Sequence, residues 1–383
     1  MIEQLVAALS LLIWLYLLLA RGGFWRISPP ATQMLPQSGP AKKIVAVIPA
    51  RDEVAGIGET VRSILQQRYA GAIHIVVVDD GSEDGTASAA AEAAASLGAS
   101  TRLTVITGAP LRPGWTGKLW AMSQGVAAAA ALEPDYLLFT DADIHHDPDN
   151  IGTLVGNAET HGRDLVSYMV ELPVATFAEK CLIPAFVFFF LQLYPPSWIA
   201  SPRSRTAAAA GGCMLMRPQA LARIGGLEAI RSQLIDDCAL ARATKAGGGS
   251  IWLGLTHSAR STRGYESFTQ IGRMISRSAF NQLRHSYLLL TATIMGLGLT
   301  YVLPPLLLLS GSPIAMALGA GAWASMCIGY APMVRFYRLS PLWCLCLPAV
   351  ALFYAAATAH SALQYLLRRG GSWKGRIQDP PVK

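Results

Sequence analysis

The sequence predicts an α/β domain with a mostly parallel sheet, carried between apolar helices at both ends. Two observations predict the domain: short β-branched runs alternate with helical periodicity between residues 42 and 285, and acidic or glycine-rich turns end those runs. A third predicts the helices. Of 383 residues, 52% are hydrophobic and 14% charged, against roughly 25% charged in an average soluble domain. Mean hydropathy is +0.37. These values exclude a disordered chain, a collagen-like fibre and an ordinary free cytosolic enzyme. The 31 Lys and Arg against 24 Asp and Glu give only +7, and no nucleic-acid partner is expected. Six cysteines without a C-x-x-C pair or zinc spacing read as free thiols in a reducing compartment.

Residues 5–20 form an uncharged apolar run followed by Arg21 and Arg26. It is long enough to span a hydrocarbon core of about 30 Å, and it lacks the basic start and cleavage site of a signal peptide. A retained anchor over residues 1–26 is expected, with the basic flank keeping the next domain cytoplasmic. Residues 43–48 are a β-branched buried strand stopped at Pro49. Residues 53–67 repeat Val54, Ile57, Val61, Ile64 and Leu65 at helical spacing. A strand at 74–78 ends in Asp79-Asp80-Gly81, and an alanine-rich helix (87–97) and a strand (103–107) follow. A helix at 119–132 precedes a strand at 136–140 that ends in Asp141-Ala142-Asp143. Ligands of such sheets bind beyond the carboxyl ends of the strands, where 49–53, 79–81 and 141–143 fall.

Inside this domain (42–285) lies an apolar segment, 181–202. Its core, 185–194, is too short to span, so it reads as an element lying in the membrane interface, with a buried core helix as the alternative. Residues 286–334 contain no Asp, Glu, Lys or Arg, and Ser310-Gly311-Ser312-Pro313 divides them into two spans. A third stretch, 339–367, completes the C-terminal region (286–367). The tail (368–383) carries five basic residues against Asp379. Here two rules conflict. Three spans leaving a cytoplasmic domain put the tail outside, whereas the positive-inside rule puts it inside. A re-entrant or broken first span at Pro304-Pro305 would reconcile them.

Four clusters can do chemistry. Asp141 and Asp143, two residues apart at a strand end, repel each other unless a hard divalent cation such as Mg²⁺ or Mn²⁺ sits between them; a solvated acidic turn is the plain alternative. Asp79-Asp80-Gly81 can hydrogen-bond a base or ribose while the chain turns closely past it. Gly117-Lys118 before a helix offers N–H donors and a cation to phosphate, without the P-loop spacing. Asp236-Asp237 opens a helix over 237–245, as an N-cap or as a general base. His145 and His146 either extend the metal site or occupy a solvated turn. Arg273, Arg277 and Arg284 either pair a diphosphate with Lys118 or precede a span as surface arginines, and Cys213 and Cys238 read as packed interior. No G-x-S-x-G, H-E-x-x-H or G-x-G-x-x-G occurs, which leaves hydrolase, zincin and oxidoreductase readings without support.

Taken in order, Ile48-Pro49-Ala50-Arg51-Asp52-Glu53, Val78-Asp79-Asp80-Gly81-Ser82, Gly117-Lys118, Asp141-Ala142-Asp143, Gly211-Gly212 and Asp236-Asp237 resemble the family 2 glycosyltransferases over about residues 44–280. The run from Trp115 to Ala121, with the anchor and C-terminal spans, looks like the hopene-associated branch, a relative of ceramide glucosyltransferases. The resemblance implies a GT-A nucleotide-sugar-binding fold and a membrane-bound inverting transferase. Pro49, Glu53 and Asp80 would hold the nucleoside, and Lys118 and Asp141 complete the donor set. Asp141 and Asp143 would hold Mg²⁺ or Mn²⁺ with the diphosphate, Gly212 would line the acceptor side, and Asp237 would be the base. The implied partners are a nucleotide-diphosphate sugar, with a UDP-sugar as the expected donor, and a lipid hydroxyl, a hopanoid among the candidates. The setting is a multi-pass cell-membrane protein. One departure stands out: the Gln/Arg-x-x-Arg-Trp motif of processive and ceramide-type relatives is here Met274-Ile275-Ser276-Arg277-Ser278, keeping only the arginine. A polysaccharide synthase would need more spans, and a non-catalytic scaffold would have no need of intact acids at 80, 141, 143 and 237.

Overall fold

Every residue of strand β1 (Ile44–Ala50) is buried. Its side chains alternate between two cores, Ile44, Ala46 and Ile48 on one face and Val45 and Val47 on the other. A strand covered on both sides reads as a continuous apolar run. The computed structural model describes residues 1–27 and 41–370, with the backbone of the short strands Ser372–Trp373 and Arg376–Ile377. Lys374, Asp379 and Lys383 of the expected basic tail lie outside the described residues.

The sheet also contains β2 (Ile73–Asp79), β3 (Leu103–Thr107), β4 (Tyr136–Thr140), β5 (Ile144–His146), β6 (Leu165–Glu171), β7 (Cys213–Met216) and β8 (Ile251–Ser261). Their order is β3-β2-β1-β4-β7-β6-β8-β5. The first four strands are parallel; β7 runs antiparallel to β4 and β6, β8 is parallel to β6, and β5 is antiparallel to β8. The mostly parallel expectation therefore holds in a mixed sheet. Between β1 and β4 the winding reverses, which opens a crevice at their carboxyl ends.

After the N-terminal helix α1 (Ile2–Leu19), helices α2 (Val54–Leu65), α3 (Thr86–Ser96) and α5 (Asn150–Thr160) cover one face, and α4 (Gly117–Ala130) covers the other. Gly125 explains how closely α4 sits: an added Cβ there would lie 2.4 Å from Val47 Cγ1. Helix α6 (Phe177–Leu193) opens with a capping box between Thr176 and Glu179. The flanking strands β6 and β7 pair with each other, so α6 returns the chain to the side it left. Ala185, Val187, Phe188 and Leu191 are buried; Phe188 packs on Tyr330 at 5.1 Å and Phe189 on Tyr354 at 4.9 Å between ring centroids. The apolar segment thus joins the domain core to the terminal helices. Short helices α7 (Pro196–Ala200) and α8 (Pro218–Arg223) lead to α9 (Asp236–Ala246), α10 (Phe268–Ser276) and α11 (Ala279–Gln282).

Among the described residues, four helical stretches are long and apolar enough to cross a membrane: Ile2–Leu19, Tyr287–Leu309, Pro313–Phe336 and Pro341–Leu366. The second comprises α12 (Tyr287–Leu297), a π-turn (Gly298–Val302), α13 (Leu303–Leu306) and a 3₁₀ turn (Leu307–Leu309); α14 (Pro313–Phe336) and α15 (Leu347–Leu366) follow. The chain stays helical through Pro304-Pro305, so no re-entrant loop forms there. Pro304 has no N–H for the carbonyl of Thr300. The buried indole of Trp14 donates to that oxygen at 2.7 Å, and Ser10 Oγ donates to Leu299 O at 3.0 Å. Helices α1 and α14 run side by side. Gln4 meets Ser312 at one end, and Gly329 lies against Trp14 and Leu18 towards the domain.

Candidate active site

A cavity of about 350 Å³ opens at the carboxyl ends of β1 and β4. On the β1 side, the strand runs through Pro49, the expected stop, to Ala50, which still pairs with Asp79 of β2; Asp52 then takes a left-handed turn (φ 51°), which sends Arg51 and Glu53 to the cavity wall. The neighbouring 79–86 loop is stitched to this turn: Ser82 Oγ accepts from Asp52 N–H, Asp52 Oδ1 from Glu83 N–H, and Thr86 Oγ1 from Glu53 N–H. Asp79 and Asp84 serve as turn acceptors. Asp80 is 3% exposed and sits behind Arg51, with its Oδ2 3.9 Å from Arg51 Nη1. Of the three residues expected to hold a nucleoside, Pro49 and Glu53 line the cavity and Asp80 underlies it.

On the β4 side, Asp141 and Asp143 both face the cavity. Thr60 Oγ1 donates to Ala142 O at 2.8 Å, and Gly56 admits the turn so closely that an added Cβ would lie 3.1 Å from Ala142 O. Burial, the adjacent Asp141 and then Glu53 push the Asp143 carboxyl up to about 6. Lys118 Nζ lies 2.8 Å from Asp141 Oδ1 and 3.4 Å from Asp236 Oδ2. Burial works against its charge, but Asp141 and Asp236 outweigh burial and hold the ammonium protonated. From the far wall come Arg263, 3.8 Å from Glu53 Oε1, Tyr265 and Arg277. The buried Glu179 fixes Tyr265 by accepting its backbone N–H at 2.6 Å.

No group of three or more His, Cys, Asp and Glu that could hold a metal forms among the described residues. Two hard oxygen donors crowded by a third carboxylate, with the cationic Lys118, Arg263 and Arg277 around them, fit a divalent cation that completes its shell with water and substrate phosphate. Asp141 and Asp143 would hold it.

Residues 45–224 match the model of the family described as Glycosyl transferase family 2. The chain carries a family 2 glycosyltransferase domain. Over 122 residues it is 34% identical to a 4,4′-diaponeurosporenoate glycosyltransferase of Staphylococcus aureus (strain bovine RF122 / ET3-1), covering 32% of this chain and 29% of that protein. A second such protein, from strain MRSA252, is 36% identical over 103 residues, 27% of this chain and 24% of its own. The chain thus spans less than a third of the curated relatives it matches. The mannosyltransferase of Pyrobaculum calidifontis, solved with GDP-Man and Mn²⁺, shares the fold with a TM-score of 0.59 at 18% identity, over 94% of this chain and 99% of that one.

The glycosyltransferase domain presents its second acid pair on the first turn of α9, after Ile235; neither acid is the N-cap. Asp236 lines the cavity, while Asp237 Oδ2 accepts the Gly211 N–H at 2.9 Å and its Oδ1 accepts the Cys238 N–H at 2.6 Å. Burial and then Asp236 raise the Asp237 carboxyl against the pull of Lys118. Gly211, not Gly212, faces these groups: a Cβ there would lie 3.4 Å from both Asp237 Oδ2 and Lys118 Nζ. Gly212 is turned towards Val170 and Ile144, and its carbonyl accepts from Thr140.

The histidines occupy neither expected role. Both sit on β5: His145 bonds Glu59 at 2.7 Å, and His146 is buried between Thr140 and Asn150. Burial and then His145 push His146 down to about 3, so it is neutral. Of the three arginines, only Arg277 reaches the main cavity. Arg284 lines a second cavity of about 510 Å³ with Tyr194, Arg205, Arg242, Gln282 and His285, at the end of α6 and the start of α12. Sequence reasoning gave no role to Arg51, Arg263 or Tyr265. Arg51 stood inside the recognised run, but the other two come from the turn after β8, whose strand pattern was not read.

Proposed function

We propose that the protein is a membrane-bound inverting glycosyltransferase that moves a sugar from a nucleotide-diphosphate donor to a hydroxyl of a lipid. The observation that carries this reading is Lys118, whose ammonium touches Asp141 on the donor side and Asp236 on the acceptor side, linking the two acid pairs across a cavity that Asp141, Asp143 and Asp236 line. Pro49 and Glu53 receive the nucleoside, and Asp141 and Asp143 hold a divalent cation. The cation, once bound, supplies Lewis-acid stabilisation of the diphosphate. Lys118, Arg263 and Arg277 face the charge that develops on the departing nucleoside diphosphate. Asp237 takes the proton of the acceptor hydroxyl as its oxygen attacks the anomeric carbon and the bond to phosphate breaks. A single displacement inverts that carbon. Burial makes Asp237 a stronger proton acceptor than an exposed carboxylate, which suits a base near neutral pH.

The donor and metal readings draw support from the Pyrobaculum enzyme, solved with GDP-Man and Mn²⁺. A lipid acceptor draws support from the Staphylococcus relatives, whose name carries a lipid-like acceptor. It also fits the second cavity, which lies beside Tyr194 at the start of α12 and would admit the polar end of a lipid towards Asp237; a hopanoid hydroxyl belongs to this class. The test is to incubate the protein in bilayers with a panel of labelled nucleotide sugars and extract the lipid. Label in the lipid fraction, abolished by a chelator, is expected; label only in free sugar or in a growing polymer would overturn the reading.

A further inference from the structure

By length and apolarity the last helix qualifies as a fourth span. Its neighbours say otherwise. Before its first turn, Trp343 packs on Phe177 at the start of α6, 5.6 Å between ring centroids. Two turns in, Phe353 meets Phe268, and Tyr354 donates to Leu182 O at 2.9 Å. Further on, Ser361 Oγ donates to Ser276 O and accepts the Phe280 N–H, and Tyr365 stacks on His285 at 4.2 Å. Every one of these partners belongs to the glycosyltransferase domain or its exit towards α12, and Ser276 is next to Arg277 on the donor cavity; where α15 meets the second span, it does so mainly along α12 and the Gly298–Val302 turn. The end of the bundle away from the domain is marked by Glu3, Ser310 and Ser312. None of these α15 contacts, spread over its whole length, reaches that end.

We propose that α15 does not cross the bilayer. It lies along the leaflet nearest the glycosyltransferase domain, with lipid on its outer face, and leaves the tail on the domain's side. The outer face is one stripe: Leu342, Leu345, Leu352, Leu363 and Leu366 are each half or more exposed. The opposite stripe, through Val350, Tyr354, Ser361 and Ala362, is buried on protein. Arg335 and Arg338 precede the helix and Arg368 and Arg369 follow it, all exposed, as headgroup-facing residues would be. Three crossings (α1, 287–309 and α14) then put all four of these arginines, and Arg21, on one side. The Ser310–Ser312 turn, with no basic residue, lies on the other. The positive-inside rule and the span count agree without a broken helix.

Impermeant maleimide added to sealed vesicles, with site-resolved peptide mass readout, tests this on the full-length protein. Arg369→Cys should label from the same face as Thr101→Cys in the domain, and Gly311→Cys from the opposite face. Labelling of Arg369→Cys together with Gly311→Cys would overturn it. Nitroxides at Leu352→Cys and Leu363→Cys in a cysteine-free chain give a second readout. Similar depths are expected; a separation of about 16 Å, the rise of eleven helical residues, would mean a crossing. Neither measurement involves sugar transfer.

Discussion

Asp236 and Asp237 share a helix turn but not an environment, and the difference sets their roles. Asp236 is tied to Lys118; Asp237 takes two backbone N–H groups and is raised by burial and by its neighbour. Asp237→Asn should leave donor binding intact and lower transfer by roughly 10²–10⁴. Asp236→Asn, which frees Lys118 from one partner, should weaken donor binding more than it slows transfer. Binding and turnover measured side by side decide between them, and equal loss of turnover in both would remove the assignment. Asp143 carries a pH signature. Its folded value of about 6 lies above the ordinary carboxylate value of 3.8, so the folded state holds that proton more tightly than the unfolded chain. The stability gained is complete below the ordinary value and is lost as pH rises through 6, roughly 3 kcal/mol at most. Metal-free protein should therefore melt higher at pH 5 than at pH 7, and Asp143→Asn should shrink that gap. Metal-dependent donor binding should run the other way, weakening as pH falls through 6.

Among the elements, α4 depends on a residue that lacks a side chain. Gly125→Ala would drive a methyl into Val47 and Val78, lifting the helix that carries Lys118 at a cost of about 1–3 kcal/mol. Thermal melting should fall accordingly, and donor affinity should fall with it because Lys118 moves. The first half of the domain was legible because β1, β2 and β4 are largely buried apolar runs that lead into acidic or proline-marked turns, as at Val78-Asp79 and Thr140-Asp141. The second half was not. Strand β7 has four residues, and β5 has three with two histidines, so neither gives a periodic signal. Their places come from pairing with β4, β6 and β8, contacts far apart in sequence. For the same reason Asp141 and Asp143 were readable from a local pattern. Arg263 and Tyr265 were not, nor was the burial of Asp80 under Arg51.

In the whole molecule, the apolar stretches were plain from composition, but their arrangement was not. Residues 339–367 have the length and apolarity of a span, and nothing in a hydropathy profile reveals that α15 also packs along α10 and α11. Residues 185–194 posed the same ambiguity; the structure buries Ala185, Val187, Phe188 and Leu191 against protein, between two strands that pair with each other. The bundle is held by a bond between its extremes, Trp14 to the carbonyl that Pro304 leaves free. Trp14→Phe keeps the ring and removes the donor. It should cost about 1–3 kcal/mol, read as a lower melting temperature in detergent, with donor binding at 25 °C unchanged. That contact also says something about birth. Helix α1 leaves the ribosome nearly three hundred residues before the segment that complements it, so during synthesis it waits with its indole unsatisfied while the entire sugar-handling domain is made behind it. Closure waits until the domain is complete, and a chain stopped short of residue 300 would be a domain on an unlatched anchor, the form that quality-control proteases should recognise first.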